Sequence, residues 1–130
     1  MQKIIFAVDD SDTNLTHVED VLEQHYCVLT MSSAEKMFEL LGKMTPQLIL
    51  LDIEMPGMSG LEAMDILQAD RRHASIPVIF LTAKKCIDVE DKCFSMGAAD
   101  FISKPFANRG LLSRVETHIT VRSLLKECVR

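Results

Sequence analysis

The sequence predicts an α/β domain: an open, doubly wound sheet of five parallel strands, each followed by a helix. Three observations carry this. Short, wholly apolar runs recur along the chain, the pattern of strands covered on both faces. Between them lie stretches whose apolar residues return at helical spacing. Capping residues, Gly and Pro mark the junctions, and the alternation repeats five times in 130 residues, a length suited to one domain.

The elements follow in order. Ile4 to Val8 (IIFAV) is the first strand. Asp9-Asp10-Ser11-Asp12 offers caps to a helix that aligns Leu15, Val18 and Leu22, with Glu19, Asp20 and Glu23 outward. Tyr26 to Met31 reads as the second strand. Ser32 and Glu35 have capping-box spacing and lead a helix through Phe38, Leu40 and Leu41 to Gly42. Gln47 to Leu51 is the third strand, and Met55-Pro56-Gly57 a loop. Ser59 and Glu62 form a second capping box, opening a helix expected to reach about Arg72. Pro77 to Leu81 is the fourth strand, with Pro tolerated at its start. Cys86, Val89, Cys93 and Met96 share a helix face that ends at Gly97. Asp100 to Ser103 is a short fifth strand, and the last helix runs from about Asn108.

Composition narrows the function classes. A chain of this length removes roughly two-thirds of its unfolded surface from water, enough for a core without staples. Hydrophobic residues make up 48% of it, with 5 Gly and 4 Pro, which excludes collagen, low-complexity disorder and a disulfide-built miniprotein. No uncharged apolar run approaches the ~20 residues of a membrane helix. The opening Met1-Gln2-Lys3, with acid by Asp9, is not expected to act as a signal peptide. A net charge of −5 argues against a broad basic surface for nucleic acid and against anionic membranes. Cys27, Cys86, Cys93 and Cys128 form no C-x-x-C pair and have no His at metal-ligand spacing. Reduced, mostly buried thiols in a cytoplasmic protein are expected.

In such a sheet the functional crevice lies beyond the carboxyl ends of the strands. Asp9 and Asp10 follow the first strand, Asp52 the third, Thr82 the fourth and Lys104 the fifth. Any one of these is ordinarily a cap or a solvated loop charge, but five on one edge form a chemical set. Crowded carboxylates repel, so one pKa rises or a cation is recruited. Mg²⁺, a hard cation taking oxygen ligands, waters and a phosphate oxygen, fits the count. Asp52 can then act as a nucleophile toward a phosphoryl group. Lys104 can neutralise one phosphoryl oxygen and Thr82 can donate a hydrogen bond to another.

The segments VDDS at 8–11, LLDIEMPGMSGLE at 50–62, FLTA at 80–83 and GAADFISKPF at 97–106 resemble, in order and spacing, the receiver domain of two-component response regulators. This is the CheY-like family, and the likeness covers nearly the whole chain. It implies a flavodoxin-like strand order of 2-1-3-4-5. It implies that Asp52 accepts the phosphoryl group, that Asp10 is a direct Mg²⁺ ligand with Asp9 acting mainly through water, and that the Glu54 backbone carbonyl is a further ligand. Thr82 resembles the switch hydroxyl and Lys104 the phosphate-binding lysine, and the Lys104-Pro105 bond is similar to the family's cis peptide, aiming the ammonium inward. Phe101 stands at the rotating aromatic, where, lacking a phenolic hydroxyl, it signals only by packing in or out. The bland reading of Phe101 is an ordinary buried strand residue. Glu54 and Lys84, each two residues beyond a site residue, flank the path of attacking water, and an opposite-sign pair there is expected to slow hydrolysis.

The resemblance further implies a donor, a histidine kinase or histidine phosphotransfer protein. It implies an output domain or protein controlled through the face of the fourth helix, fifth strand and fifth helix. The domain would then be a phosphoacceptor assisting its own phosphorylation and dephosphorylation rather than a conventional enzyme. Ile87 and Phe94 lie beside the core stripe of the fourth helix, where exposure and burial are equally expected. In the last helix, Leu111, Leu112, Val115 and Ile119 form one stripe. Val121, Leu124, Leu125, Cys128 and Val129 form another, rotated by roughly a third of a turn. The receiver is therefore expected over 1–120. Residues 121–130 are expected to extend the helix as a linker or homodimer contact, or to meet an output domain outside this chain. Arg114, Arg122, Lys126 and Arg130 suit the helix macrodipole. Three other readings compete. A flavin module would want a Ser/Thr/Gly loop where Asp9 to Asp12 stand. A dehalogenase-type phosphatase would carry its nucleophile after the first strand. A non-phosphorylated scaffold receiver would act only by protein–protein contact.

Overall fold

The structure is a computed structural model that describes residues 2–83 and 87–128; the side chains of 87, 88 and 126–128 are outside that description. Five strands, β1 (Ile4–Val8), β2 (Cys27–Met31), β3 (Leu48–Asp52), β4 (Val78–Thr82) and β5 (Asp100–Ser103), alternate with five helices. These are α1 (Asp12–Leu22), α2 (Ala34–Leu41), α3 (Gly60–Ala69), α4 (Ile87–Ser95) and α5 (Asn108–Cys128). The strands form one parallel sheet in the order β2-β1-β3-β4-β5, as expected.

Alternation within each strand divides the core. Phe6, Val8, Ile49, Leu51, Val78, Phe80 and Phe101 face α2, α3 and α4, where Met37, Met64, Leu67 and Cys93 complete one layer. Ile5, Ala7, Leu48, Leu50, Ile79, Leu81 and Ile102 face α1 and α5. There Leu15, Val18, Leu22, Leu111, Val115 and Ile119 close the second layer. Burial on both faces is what the unbroken apolar strand runs required.

Junctions follow local chemistry, with two departures from expectation. The Ser59–Glu62 capping box is formed, and Ser11 caps α1 through the Asn14 amide. At α2 the cap is Ser33, not Ser32. Ser33 is extended and its Oγ accepts from the Lys36 amide at 3.2 Å, while Ser32 Oγ accepts from Lys36 Nζ at 3.0 Å. Helix α3 stops at Ala69, short of Arg72. Asp70 turns extended and its carboxylate accepts from the Arg72 backbone amide at 2.9 Å, a side-chain turn that competes with further helix. The last helix is continuous from Asn108 to Cys128; Val129, and the Cys128 side chain, lie outside the description. Leu111, Val115 and Ile119 are buried, whereas Val121, Leu124 and Leu125 are 46%, 55% and 51% exposed. On α4, Phe94 is 45% exposed, which decides its reading, and Ile87 lies among the side chains outside the description.

Candidate functional site

Parallel pairing brings the strand ends together. Val8 pairs with Leu51 across β1 and β3, so Asp9 and Asp52 emerge side by side. Thr82 pairs with Ser103 across β4 and β5, which sets Lys104 at the same edge. The crevice opens between β1 and β3, where successive crossovers leave on opposite faces and ligands bind in such sheets. Gly60 fits closely behind Asp52. A Cβ there would lie 2.2 Å from the Asp52 carbonyl oxygen, so only glycine lets α3 begin against the strand end.

Asp9 and Asp52 are buried and Asp10 is exposed, yet one carboxylate oxygen from each lies within 4.8 Å of the others. Lys104 Nζ bridges the two buried acids, 2.8 Å from Asp9 Oδ2 and 3.2 Å from Asp52 Oδ1. Asp9 Oδ1 accepts from the Ser11 amide at 3.0 Å, so both of its oxygens are engaged. The electrostatics follow. Burial, then the neighbouring Asp9 charge, push the Asp52 carboxyl up to about 7 against the opposing pull of Lys104. Burial works against the Lys104 charge, but its hydrogen bonds and charge contacts with Asp9 and Asp52 outweigh that and hold the ammonium above its ordinary range. A buried carboxyl that ionises this reluctantly beside two other acids is a donor set suited to a hard divalent cation.

The remaining residues fall as follows. Thr82 is fully buried at the end of β4, and its carbonyl accepts from the Lys104 amide at 2.7 Å. The Lys104-Pro105 peptide is cis. Phe101 is 9% exposed and packs in the α2–α4 layer, so its ring is inward. The Glu54 side chain is exposed, and Lys84 lies outside the described residues.

Two further constellations were not singled out from sequence. His17 on α1 stacks on Phe106, ring centroids 4.8 Å apart, and hydrogen-bonds Asn108, tying α1 to the β5–α5 loop. Asp100 accepts from Arg114 at 2.7 Å, from His118 at 2.9 Å and from the Phe101 amide at 2.7 Å. Burial opposes the Asp100 charge, but these bonds together hold its pKa below the ordinary value. No local sequence signal marks either group, because the partners come from separate elements.

Residues 5–116 match the model of the response regulator receiver domain. The chain belongs to that family. Similar proteins include one from Vibrio cholerae named "Probable cyclic di-GMP phosphodiesterase", 38% identical over 91% of this chain and 27% of that protein. Another is the phosphate regulon transcriptional regulatory protein PhoB of Pseudomonas aeruginosa, 35% identical over 88% of this chain and 50% of that one. The receiver therefore spans half or less of the length of these relatives. Among solved structures, NtrX from Brucella abortus superposes with a TM-score of 0.91 at 26% identity, over 99% of this chain and 30% of that one. The flavin-module and phosphatase readings give way to the receiver, and phosphorylation-based signalling accords with its relatives. Among the described residues no helix is long and apolar enough to cross a membrane.

Proposed function

We propose that this receiver takes a phosphoryl group from a phosphohistidine of a histidine kinase or phosphotransfer protein onto Asp52. One observation carries the reading: Asp9, Asp10, Asp52 and Lys104, delivered by three strands, converge at one crevice. An Asp52 carboxylate oxygen forms the new bond to phosphorus as the phosphorus–nitrogen bond breaks, and the departing imidazole keeps the electron pair. Asp9, Asp10, Asp52 and the Glu54 carbonyl would hold Mg²⁺, with Asp10 the more available direct ligand because Asp9 is already occupied by Ser11 and Lys104. The ion, when bound, neutralises charge on the transferring group. Lys104 lies close enough to exchange its carboxylate contact for a phosphoryl oxygen, and Thr82 donates to another.

Movement of Thr82 toward that oxygen, with Phe101 repacking, would carry the signal to the α4–β5–α5 face. An output domain or protein, or a second copy meeting 121–130, would read it, with 1–120 as the receiver proper. Free Cys27 and Cys93 suit a cytoplasmic setting. The scaffold reading is disfavoured because acids, hydroxyl and lysine are all retained. Intact mass after incubation with acetyl phosphate and Mg²⁺ tests the proposal. One phosphoryl adduct is expected, absent without Mg²⁺ and absent in Asp52→Asn; an adduct that survives in Asp52→Asn refutes it. Glu54 and Lys84 are proposed to slow hydrolysis, so the acyl phosphate should be shorter-lived in Glu54→Ala with Lys84→Ala; an unchanged lifetime removes that role.

A further inference from the structure

At the opposite end of the sheet from Asp52, the segments entering β1, β3 and β4 and the second half of α5 border an open cleft of about 400 Å³. Three cationic side chains from three separate parts of the chain line it: Lys3 ahead of β1, Arg72 in the α3–β4 loop and Arg122 on α5. Thr45, Ser75 and Ser123 add hydroxyls to the same wall, and no described acidic residue lines it. Lys3 Nζ lies 3.3 Å from Ser123 Oγ. Among the described residues neither Lys3 nor Arg122 has a carboxylate partner in an ion pair. Arg72 is oriented by Asp70, which accepts from its Nε at 3.2 Å and from its outer nitrogen at 2.8 Å, leaving its other N–H donors free for a ligand.

We propose that this cleft binds a small anion bearing two or more phosphoryl groups. The size lies within the range of small-ligand pockets. Guanidinium forks and an ammonium beside hydroxyl donors match phosphoryl oxygens, which accept several charge-assisted bonds at once. A nucleic acid or a broad anionic surface fits less well, because the chain as a whole carries −5. The site is remote from Asp52, so occupancy does not compete with phosphorylation. The ligand would join Arg122 and Ser123 of α5 to the sheet edge just where that helix begins to expose Val121, Leu124 and Leu125.

The test is a titration of the ¹⁵N-labelled 130-residue chain with inorganic pyrophosphate in Mg²⁺-free buffer, followed by amide chemical shifts. Saturable shifts at Thr45, Ser75 and Ser123 are expected, unchanged in Asp52→Asn. Arg122→Gln and Lys3→Gln should each weaken binding roughly tenfold, the loss of one charge-assisted contact. Arg114→Gln, a cation of the same helix outside the cleft, should leave it intact. Shifts confined to Asp9, Asp52 and Lys104, non-saturable shifts, or equal weakening by Arg114→Gln would overturn the proposal. So would binding to phosphatidylcholine vesicles carrying phosphatidylinositol bisphosphate without binding to pyrophosphate, which would assign the contacts to a lipid headgroup.

Discussion

Asp52 concentrates the energetics of the site. Its carboxyl, with an ordinary value of 3.8, is pushed up to about 7 in the folded chain by burial and by Asp9. Between those two values the folded state holds a proton that the unfolded state has released. Stability therefore falls as pH rises through that window, and the full cost is present above about 7. Asp52→Asn removes the cost. In Mg²⁺-free thermal or urea unfolding it should be more stable than the parent at about pH 8, by on the order of 1 kcal/mol, with the gap closing toward pH 4. A parent that is the more stable of the two at about pH 8 would contradict this. The site residues were legible from sequence because each stands one or two positions past an apolar strand, and a parallel sheet gathers such positions at one edge. The His17–Phe106 stack and the Asp100–Arg114–His118 cluster were not legible, since each depends on where helices land after long excursions.

Among the elements, strands were the most readable, because burial on both faces writes itself as an uninterrupted apolar run. Helix ends were less so, because neighbouring polar residues compete to cap the helix and local side-chain turns compete with its continuation. Ser33 takes the α2 cap from Ser32, and Asp70 ends α3 by bonding the Arg72 amide rather than letting the helix continue. The two stripes of α5 were both visible in the sequence, and their rotation relative to each other anticipated that one straight helix buries only the first. The two stripes should respond differently to substitution. Leu111→Ala, at a fully buried position between α1 and the sheet, should cost about 2–4 kcal/mol of unfolding free energy. Leu124→Ser, at a position 55% exposed, should change it by no more than about 0.5 kcal/mol. Equal losses in chemical denaturation would mean that the second half of α5 is packed against the domain.

The whole molecule separates its tasks along the strand direction. The carboxyl ends of the strands gather acids, hydroxyl and lysine; the opposite ends gather the cationic cleft; the α4–β5–α5 face lies to one side with Phe94 exposed and Phe101 tucked inward. Fold, family and the identity of the site edge were open to reading from 130 residues because they rest on order and spacing. The cleft was not, since Lys3, Arg72 and Arg122 have no common motif and come to line one cleft only when the chain has folded. The central claim, that Asp52 is the phosphoacceptor, is tested most directly by reductive trapping. The chain is treated with acetyl phosphate and Mg²⁺, reduced with borohydride to convert any acyl phosphate to homoserine, and mapped by peptide mass spectrometry. Homoserine at position 52 alone is the predicted result. Homoserine at position 9 or 10, or an unmodified position 52 in a chain that carries the phosphoryl adduct, would contradict it.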